Sequence, residues 1–287
     1  MKFPKIYLEI TNVCNLSCSF CAGTTRKPTF LSPSDFRRFA AEARPFTDYL
    51  YLHVMGEPLL HPQLDELLSI ATDLGFRICL TTNGSLLEKH LPLLLAYASS
   101  IYKISVSLHA FEANTEARMG MDFASYIQSC CRCAEALGKA GVIVALRLWN
   151  LDNPEAAVPA KNQENQDVLS LLRRHFPHPW TPNRRGSKIG KGVYLEWGEK
   201  FDWPVTDGSV PDRGTRAHCF AMKDHIAILS DGSVLPCCID RNGVMSLGDL
   251  RERSLSEILT DESAIRFQTA LSEHALNFFL CRHCNFK

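Results

Sequence analysis

The sequence predicts an α/β architecture: a parallel sheet covered by helices, followed by a small α+β unit. Three observations carry that expectation. Apolar, strand-like runs alternate with helical patterns from the N-terminus to about residue 200. A stretch rich in Gly, Pro and charge, 182–217, then breaks the alternation. Five cysteines gather near the C-terminus, outside the βα pattern. Repeated βα units place helices against a parallel sheet, and six such units are too few to close an eight-stranded barrel. The expected division is 1–200 and 201–287.

The elements follow in order. An apolar run at 6–10 opens the sheet, and Ser34 and Asp35 start the first helix. A second strand is expected at 49–54. Leu64, Leu67, Leu68 and Ala71 then recur at i, i+3, i+4 and i+7, with Gly75 as the stop. Strands at 76–81 and 101–108 follow, then a helix from Tyr126 to Ala140 closed by Gly141. The fifth strand, 142–148, leads to a helix from Asp167 to His175, ended by Pro177 and Pro179. The sixth strand is 193–197, the one element expected within a stretch that otherwise reads as linker or lid. Beyond it, runs at 226–229 and 233–237 flank Asp231-Gly232, a hairpin signal. Short helices near 255–259 and 265–271 complete the chain.

The totals exclude several classes. The chain has 287 residues, 46% hydrophobic, which suits one large core with a small appendage. Lys+Arg and Asp+Glu number 31 each, so no charge excess points to nucleic acid or a membrane surface. No apolar run approaches the ~20 residues that span a bilayer. The start lacks the apolar core of a signal peptide, so the expected location is cytoplasmic. Twelve cysteines in such a chain argue for metal or redox chemistry rather than disulfides.

Cys14, Cys18 and Cys21 stand at C-x3-C-x2-C spacing directly after the first strand. Three thiolates can hold three irons of a 4Fe–4S cube and leave the fourth open to a small molecule. A structural zinc needs four ligands, and no fourth Cys or His lies nearby. The motif, with Phe20 as the aromatic before its last cysteine, resembles the radical S-adenosylmethionine (SAM) superfamily. The resemblance implies a partial (β/α)6 TIM-type barrel. It implies reductive cleavage of SAM to methionine and a 5′-deoxyadenosyl radical that abstracts hydrogen from a substrate. It also implies a low-potential electron donor such as flavodoxin or ferredoxin.

The same resemblance assigns a SAM site. Met55-Gly56-Glu57-Pro58 is similar to the superfamily's Gly-Gly-Glu-Pro motif for the SAM amino group, with Met55 in place of the first glycine. Gly56 and Glu57 keep the close approach and the acceptor, although a tight βα turn also favours Gly and Pro. Thr81-Thr82-Asn83-Gly84 resembles the Thr-Asn-Gly turn common in these proteins, and Asn83 is either a ligand or a turn residue. Ser105, Ser107 and His109 alternate along one face of the fourth strand. By resemblance Ser107 contacts the ribose or carboxylate of SAM, and His109 reaches substrate or serves the core. Arg147 and Asn150 end the fifth strand, where an arginine can fork onto the SAM carboxylate or form a rim salt bridge.

Cys219, Cys237, Cys238, Cys281 and Cys284 form the second set: one cysteine, a hairpin ending in a Cys pair, and a terminal C-x2-C. With Asp231-Gly232 and Leu247-Gly248-Asp249-Leu250, this resembles the small C-terminal α+β twitch/SPASM-like domain that holds an auxiliary 4Fe–4S cluster. The resemblance selects Cys219, Cys237, Cys281 and Cys284 as ligands. Zinc suits four thiolates equally. Cys79, Cys130, Cys131 and Cys133 read as core.

The first barrel strand begins almost at Met1, which favours a small-molecule substrate over a ribosomal peptide. Leu8-Glu9-Ile10-Thr11-Asn12, His53-Val54-Met55-Gly56-Glu57 and Leu146-Arg147-Leu148-Trp149-Asn150 are together similar to the queuine lyase group. That group is implied to cleave the C–N bond of a 7-deazapurine base, queuine, to its aminomethyl precursor. A guanine-like edge needs an acceptor for its N–H donors. Glu196 is the candidate, with Trp149 or Trp197 stacking on the base. The alternatives are dehydrogenation of an aminoglycoside-like alcohol, peptide modification, or a non-catalytic iron–sulfur or zinc protein.

Overall fold

The computed structural model describes residues 2–111, 113–151, 163–199, 203–204, 210–216 and 218–285. Its centre is a run of parallel strands: β1 (Lys5–Leu8), β2 (Tyr49–Tyr51), β3 (Arg77–Thr82), β4 (Ile101–Ser107) and β5 (Ile143–Leu151). After β6 (Thr181–Asn183) and β7 (Gly186–Gly190), β8 (Val193–Glu199) pairs in parallel with β5. These six parallel strands are the six expected. Beyond them β9 (His225–Ile228), β10 (Ser233–Leu235) and β11 (Gly248–Asp249) join the other edge, giving the order β11-β10-β9-β1-β2-β3-β4-β5-β8-β7-β6. The order is linear, so the sheet is an open partial barrel.

Helices cover one face. They are α1 (Pro33–Ala43), α2 (Leu64–Asp73), α3 (Leu87–Ala96), α4 (Glu116–Met119), α5 (Phe123–Lys139) and α6 (Gln163–His175), then α7 (Leu255–Thr260), α8 (Glu262–Ser272) and α9 (Phe279–Arg282). Local sequence explains several starts. Ser32 caps α1 ahead of Pro33, Asp122 caps α5, and Ser254 with Glu257 forms a capping box on α7. Phe36, Leu67, Leu68, Ile127 and Ala134 bury against Ile6, Leu8, Leu50, Ile78, Ile104 and Leu146 of the strands. The opposite face is polar. Register aligns Tyr7, Tyr51, Cys79 and Lys103 in one row, and side-chain alternation carries that face to Ser107, Arg147 and Glu196.

The structure adds to the expectations at three points. The segment before β8 is not only linker, because β6 and β7 form a hairpin that pairs antiparallel with β8. A helix absent from the sequence reading, α3, lies between β3 and β4; its N-cap Leu86 makes no side-chain cap and Pro92 sits inside it. The C-terminal hairpin continues the barrel's own sheet, with β9 parallel to β1. The expected division at 200/201 falls on residues outside the described ones, as does part of the 182–217 stretch.

Candidate active site and auxiliary metal centre

The triad loop leaves the C-terminal side of β1 and is cinched at its base. Thr11 pairs with Phe30, the Thr11 hydroxyl donates to the Thr29 carbonyl, and Leu31 N–H returns to the Ile10 carbonyl. Asn12 bridges the loop, donating to the Lys27 carbonyl and accepting from Thr29 N–H. Cys14 and Cys21 are exposed and Cys18 is half-buried. Burial pushes the Cys14 thiol up to about 11 and raises Cys18, so binding a metal must release protons. Donors already point at the sulfurs: Leu16 N–H at Cys14, 3.4 Å, and Asn114 Nδ2 at Cys18, 3.2 Å. Asn114 also accepts from Ser17 N–H. Nothing in the local motif marks Asn114 as a partner of Cys18.

Tetrahedral zinc with ~2.3 Å bonds holds its sulfurs about 3.8 Å apart. Among the described residues, only His225, Cys237 and Cys238 bring three ligand atoms within 4.8 Å of one another. The sulfurs of Cys14, Cys18 and Cys21 are not all within that distance, and three thiolates would suit three irons of a 4Fe–4S cube.

The second motif is locked to this loop. Gly56 has φ +75°, and a Cβ there would lie 2.5 Å from the Thr11 carbonyl oxygen and 2.8 Å from that of Val13. Glu57 N–H donates to the Val13 carbonyl. The Glu57 carboxylate is buried and accepts from Leu59 N–H at 3.0 Å and Asn83 N–H at 2.7 Å. Burial pushes it up to about 7, against the lowering effect of those donors. Glu57 thus joins the β2 and β3 exits as well as facing the cluster loop. Asn83 Nδ2 donates to Asn15 and lies 3.9 Å from the Cys14 sulfur.

Ser107, Arg147, His109, Trp149 and Glu196 meet at the C-terminal ends of β4, β5 and β8, where barrel active sites are built. Arg147 Nη2 donates to Ser107 Oγ at 3.0 Å, and its guanidinium lies 4.1 Å over the Trp149 ring. Its Nε is buried without a hydrogen-bond partner among the described residues. Gly198 makes room for Trp149, since a Cβ there would lie 2.5 Å from the indole. His109 is buried, its Nδ1 3.1 Å from the Arg147 carbonyl oxygen and its ring 5.0 Å from that of Phe20. Burial pulls its pKa down to about 4. Glu196 forms an ion pair with Lys103 at 2.7 Å inside the barrel. Trp197 does not join this group: register pairs it with Leu148, and it packs against the helix-side core. Adjacent strand residues point to opposite faces, so Glu196 and Trp197 cannot share the interior. The Asn150 side chain lies outside the described residues.

At the other end, Cys219, Cys237, Cys281 and Cys284 line a partly open pocket with Ala221, Met245, Phe267 and Leu280. Hairpin, helix α9 and the chain end bring together four thiols spread over 66 residues. Cys238 is not on the cavity wall, so Cys237 is the hairpin cysteine facing it. The wide, apolar-walled thiol cage fits an auxiliary 4Fe–4S cluster.

Comparison with known proteins agrees. Residues 8–158 match the Radical SAM superfamily, and residues 219–285 match the SPASM iron–sulfur cluster-binding domain. Among curated proteins, an AdoMet-dependent heme synthase of Methanosarcina barkeri is 33% identical over 110 residues, 37% of this chain and 31% of that protein. A GTP 3′,8-cyclase of Stenotrophomonas maltophilia is 32% identical over 96 residues, 31% of this chain and 29% of that protein. The chain thus spans about a third of the length of these relatives. The crystal structure of BtrN in complex with AdoMet and 2-DOIA shares the fold, with TM-score 0.56 and 17% identity over 99% of this chain and 94% of that one. Cysteine triad, SAM-side residues and C-terminal thiol cage together place this chain in the radical SAM superfamily, as a member with a C-terminal SPASM domain.

Proposed function

We propose that this radical SAM enzyme acts on a small heterocyclic base held inside the barrel, as a C–N lyase of a 7-deazapurine such as queuine. When bound, the cluster and SAM supply a hydrogen-abstracting radical. The chain's own residues do the rest. Arg147 and Ser107 present donors for the SAM carboxylate, Gly56 admits close backbone approach, and Phe20 with His109 walls the mouth from water.

The observation that carries the substrate reading is the Lys103–Glu196 pair within the barrel. It offers a donor and an acceptor side by side, the complement of a lactam edge with one carbonyl and adjacent N–H groups. Trp149, held by Arg147 and Gly198, would have to release the guanidinium from its ring to stack on the base. A guanine-type base also fits a relative named as a GTP cyclase. The electron enters from a flavodoxin- or ferredoxin-type donor.

The test is anaerobic turnover with queuine, SAM and dithionite, followed by mass spectrometry. We expect 5′-deoxyadenosine and the aminomethyl base to form only when queuine and SAM are both present, with Glu196→Gln losing at least tenfold in kcat/KM. Deoxyadenosine formed with an aminoglycoside-like alcohol or a peptide, and none with deazapurines, would replace the substrate. No deoxyadenosine with any substrate would remove the radical reading.

A further inference from the structure

Cys238 and His225 belong neither to the cleft at the strand ends nor to the cavity wall, yet both bring a ligand atom within 4.8 Å of the Cys237 sulfur. Cys237 and Cys238 are neighbours in the chain and face different ways. Cys237 lines the cavity, while Cys238 packs with Tyr7, Ala227 and Leu235 on the barrel side. The sulfurs of both and a ring nitrogen of His225 lie within 4.8 Å of one another, and Cys238 Sγ is 3.7 Å from His225 Nε2. Parallel pairing of β9 with β1 sets His225 opposite Lys5, with its ring edge-on to Tyr7 at 5.5 Å. His225 Nδ1 is buried without a hydrogen-bond partner among the described residues.

A thiolate bound to iron keeps lone pairs that accept hydrogen bonds. Such bonds favour the more negative, reduced cluster and so raise its reduction potential. The half-buried setting strengthens them. Two potential donors, the Cys238 S–H and a His225 ring nitrogen, lie within 4.8 Å of the Cys237 sulfur.

We propose that Cys238 and His225 are positioning residues for the auxiliary 4Fe–4S cluster: they direct hydrogen bonds onto the Cys237 sulfur, hold the cluster's potential up, and connect that ligand to Tyr7 in the barrel interior. Neither is a ligand. The inference is independent of the substrate.

The test is a redox titration followed by electron paramagnetic resonance on the full chain loaded with both clusters. The signal that SAM perturbs belongs to the Cys14, Cys18, Cys21 cluster and serves as internal control. Cys238→Ala and His225→Phe should each move the other signal to a more negative midpoint, the double variant further. Iron should stay at about eight per chain and the control midpoint should not move. Cys238→Ser and His225→Gln keep a donor and should stay near the parent. They also keep the test valid should Cys238→Ala fail to fold, since a Ser or Gln variant shifted as far as complete donor loss would overturn the proposal. Unchanged midpoints would overturn it. So would loss of about four irons in a folded Cys238→Ala, which would make Cys238 a ligand, or stoichiometric zinc that depends on His225.

Discussion

At the scale of single residues, Glu9 holds more of the site than any other buried carboxylate. It is fully buried, and every acceptor position is used. Oε2 takes Arg26 Nη2 at 2.7 Å and Met55 N–H at 3.0 Å, while Oε1 takes the Ser230 hydroxyl at 2.9 Å and Ser230 N–H at 3.3 Å. One side chain thereby joins the triad loop, the Gly56 motif and the C-terminal hairpin. Arg26→Met leaves this carboxylate buried with no counter-charge and should cost about 3 kcal/mol, read from urea unfolding. Glu9→Gln removes the charge but keeps the shape and should cost about 2 kcal/mol. Buried histidines contribute to the acid limb. Burial holds His53 neutral, pulled down to about 3 from an ordinary 6.5. Between pH 6.5 and that folded value the unfolded chain binds a proton that the folded chain refuses, so stability falls as pH falls. His53→Gln should remove this contribution, on the order of 3 kcal/mol at pH 4. The parent and variant urea midpoints should therefore converge, then cross, on acidification, and midpoints parallel at every pH would refute the assignment.

At the scale of elements, the site hangs on the exits of strands. Gly56 follows β2 with a left-handed backbone pressed on the triad loop. Gly56→Ala combines an unfavourable φ with a Cβ inside contact distance of two carbonyls, a strain of roughly 1–3 kcal/mol. It should release the triad's iron, about four per chain, while the auxiliary iron stays, as iron analysis after gel filtration would show. The strands themselves were legible because their helix-side face repeats apolar residues at every second position, as in Ile104 and Val106 or Val144 and Leu146. Helix α3 was not, because Leu86 offers no cap and Pro92 interrupts its pattern. The triad and the thiol cage could be read from spacing and family likeness. Asn114 could not, since it reaches Cys18 across 96 residues of sequence. Nor could the facing of Trp197 as against Glu196, which depends on a register that a short apolar run does not declare.

At the scale of the molecule, the two metal centres share a wall. Thr24 donates to the Arg241 carbonyl and to Asn242 Oδ1, Thr25 N–H donates to Asn242, and Arg26 Nε donates to the Arg241 carbonyl. The turn they grip begins at Asp240, which lines the thiol cage and caps its own loop through Val244 and Met245 N–H. Three residues after Cys21 the chain is therefore fastened to a turn three residues after Cys237. Loss of the auxiliary cluster should loosen that turn and, through it, the triad loop. A chain ending at His283 lacks only Cys284 among the four cage thiols. It should fall from about eight irons to about four, and the remaining cluster should lose iron to a chelator faster than in the parent. Cys284→Ala should match it on both counts with the backbone intact, which separates ligand loss from chain-end loss. Four remaining irons that leave at the parental rate would mean that the gripped turn holds its shape without the cluster behind it.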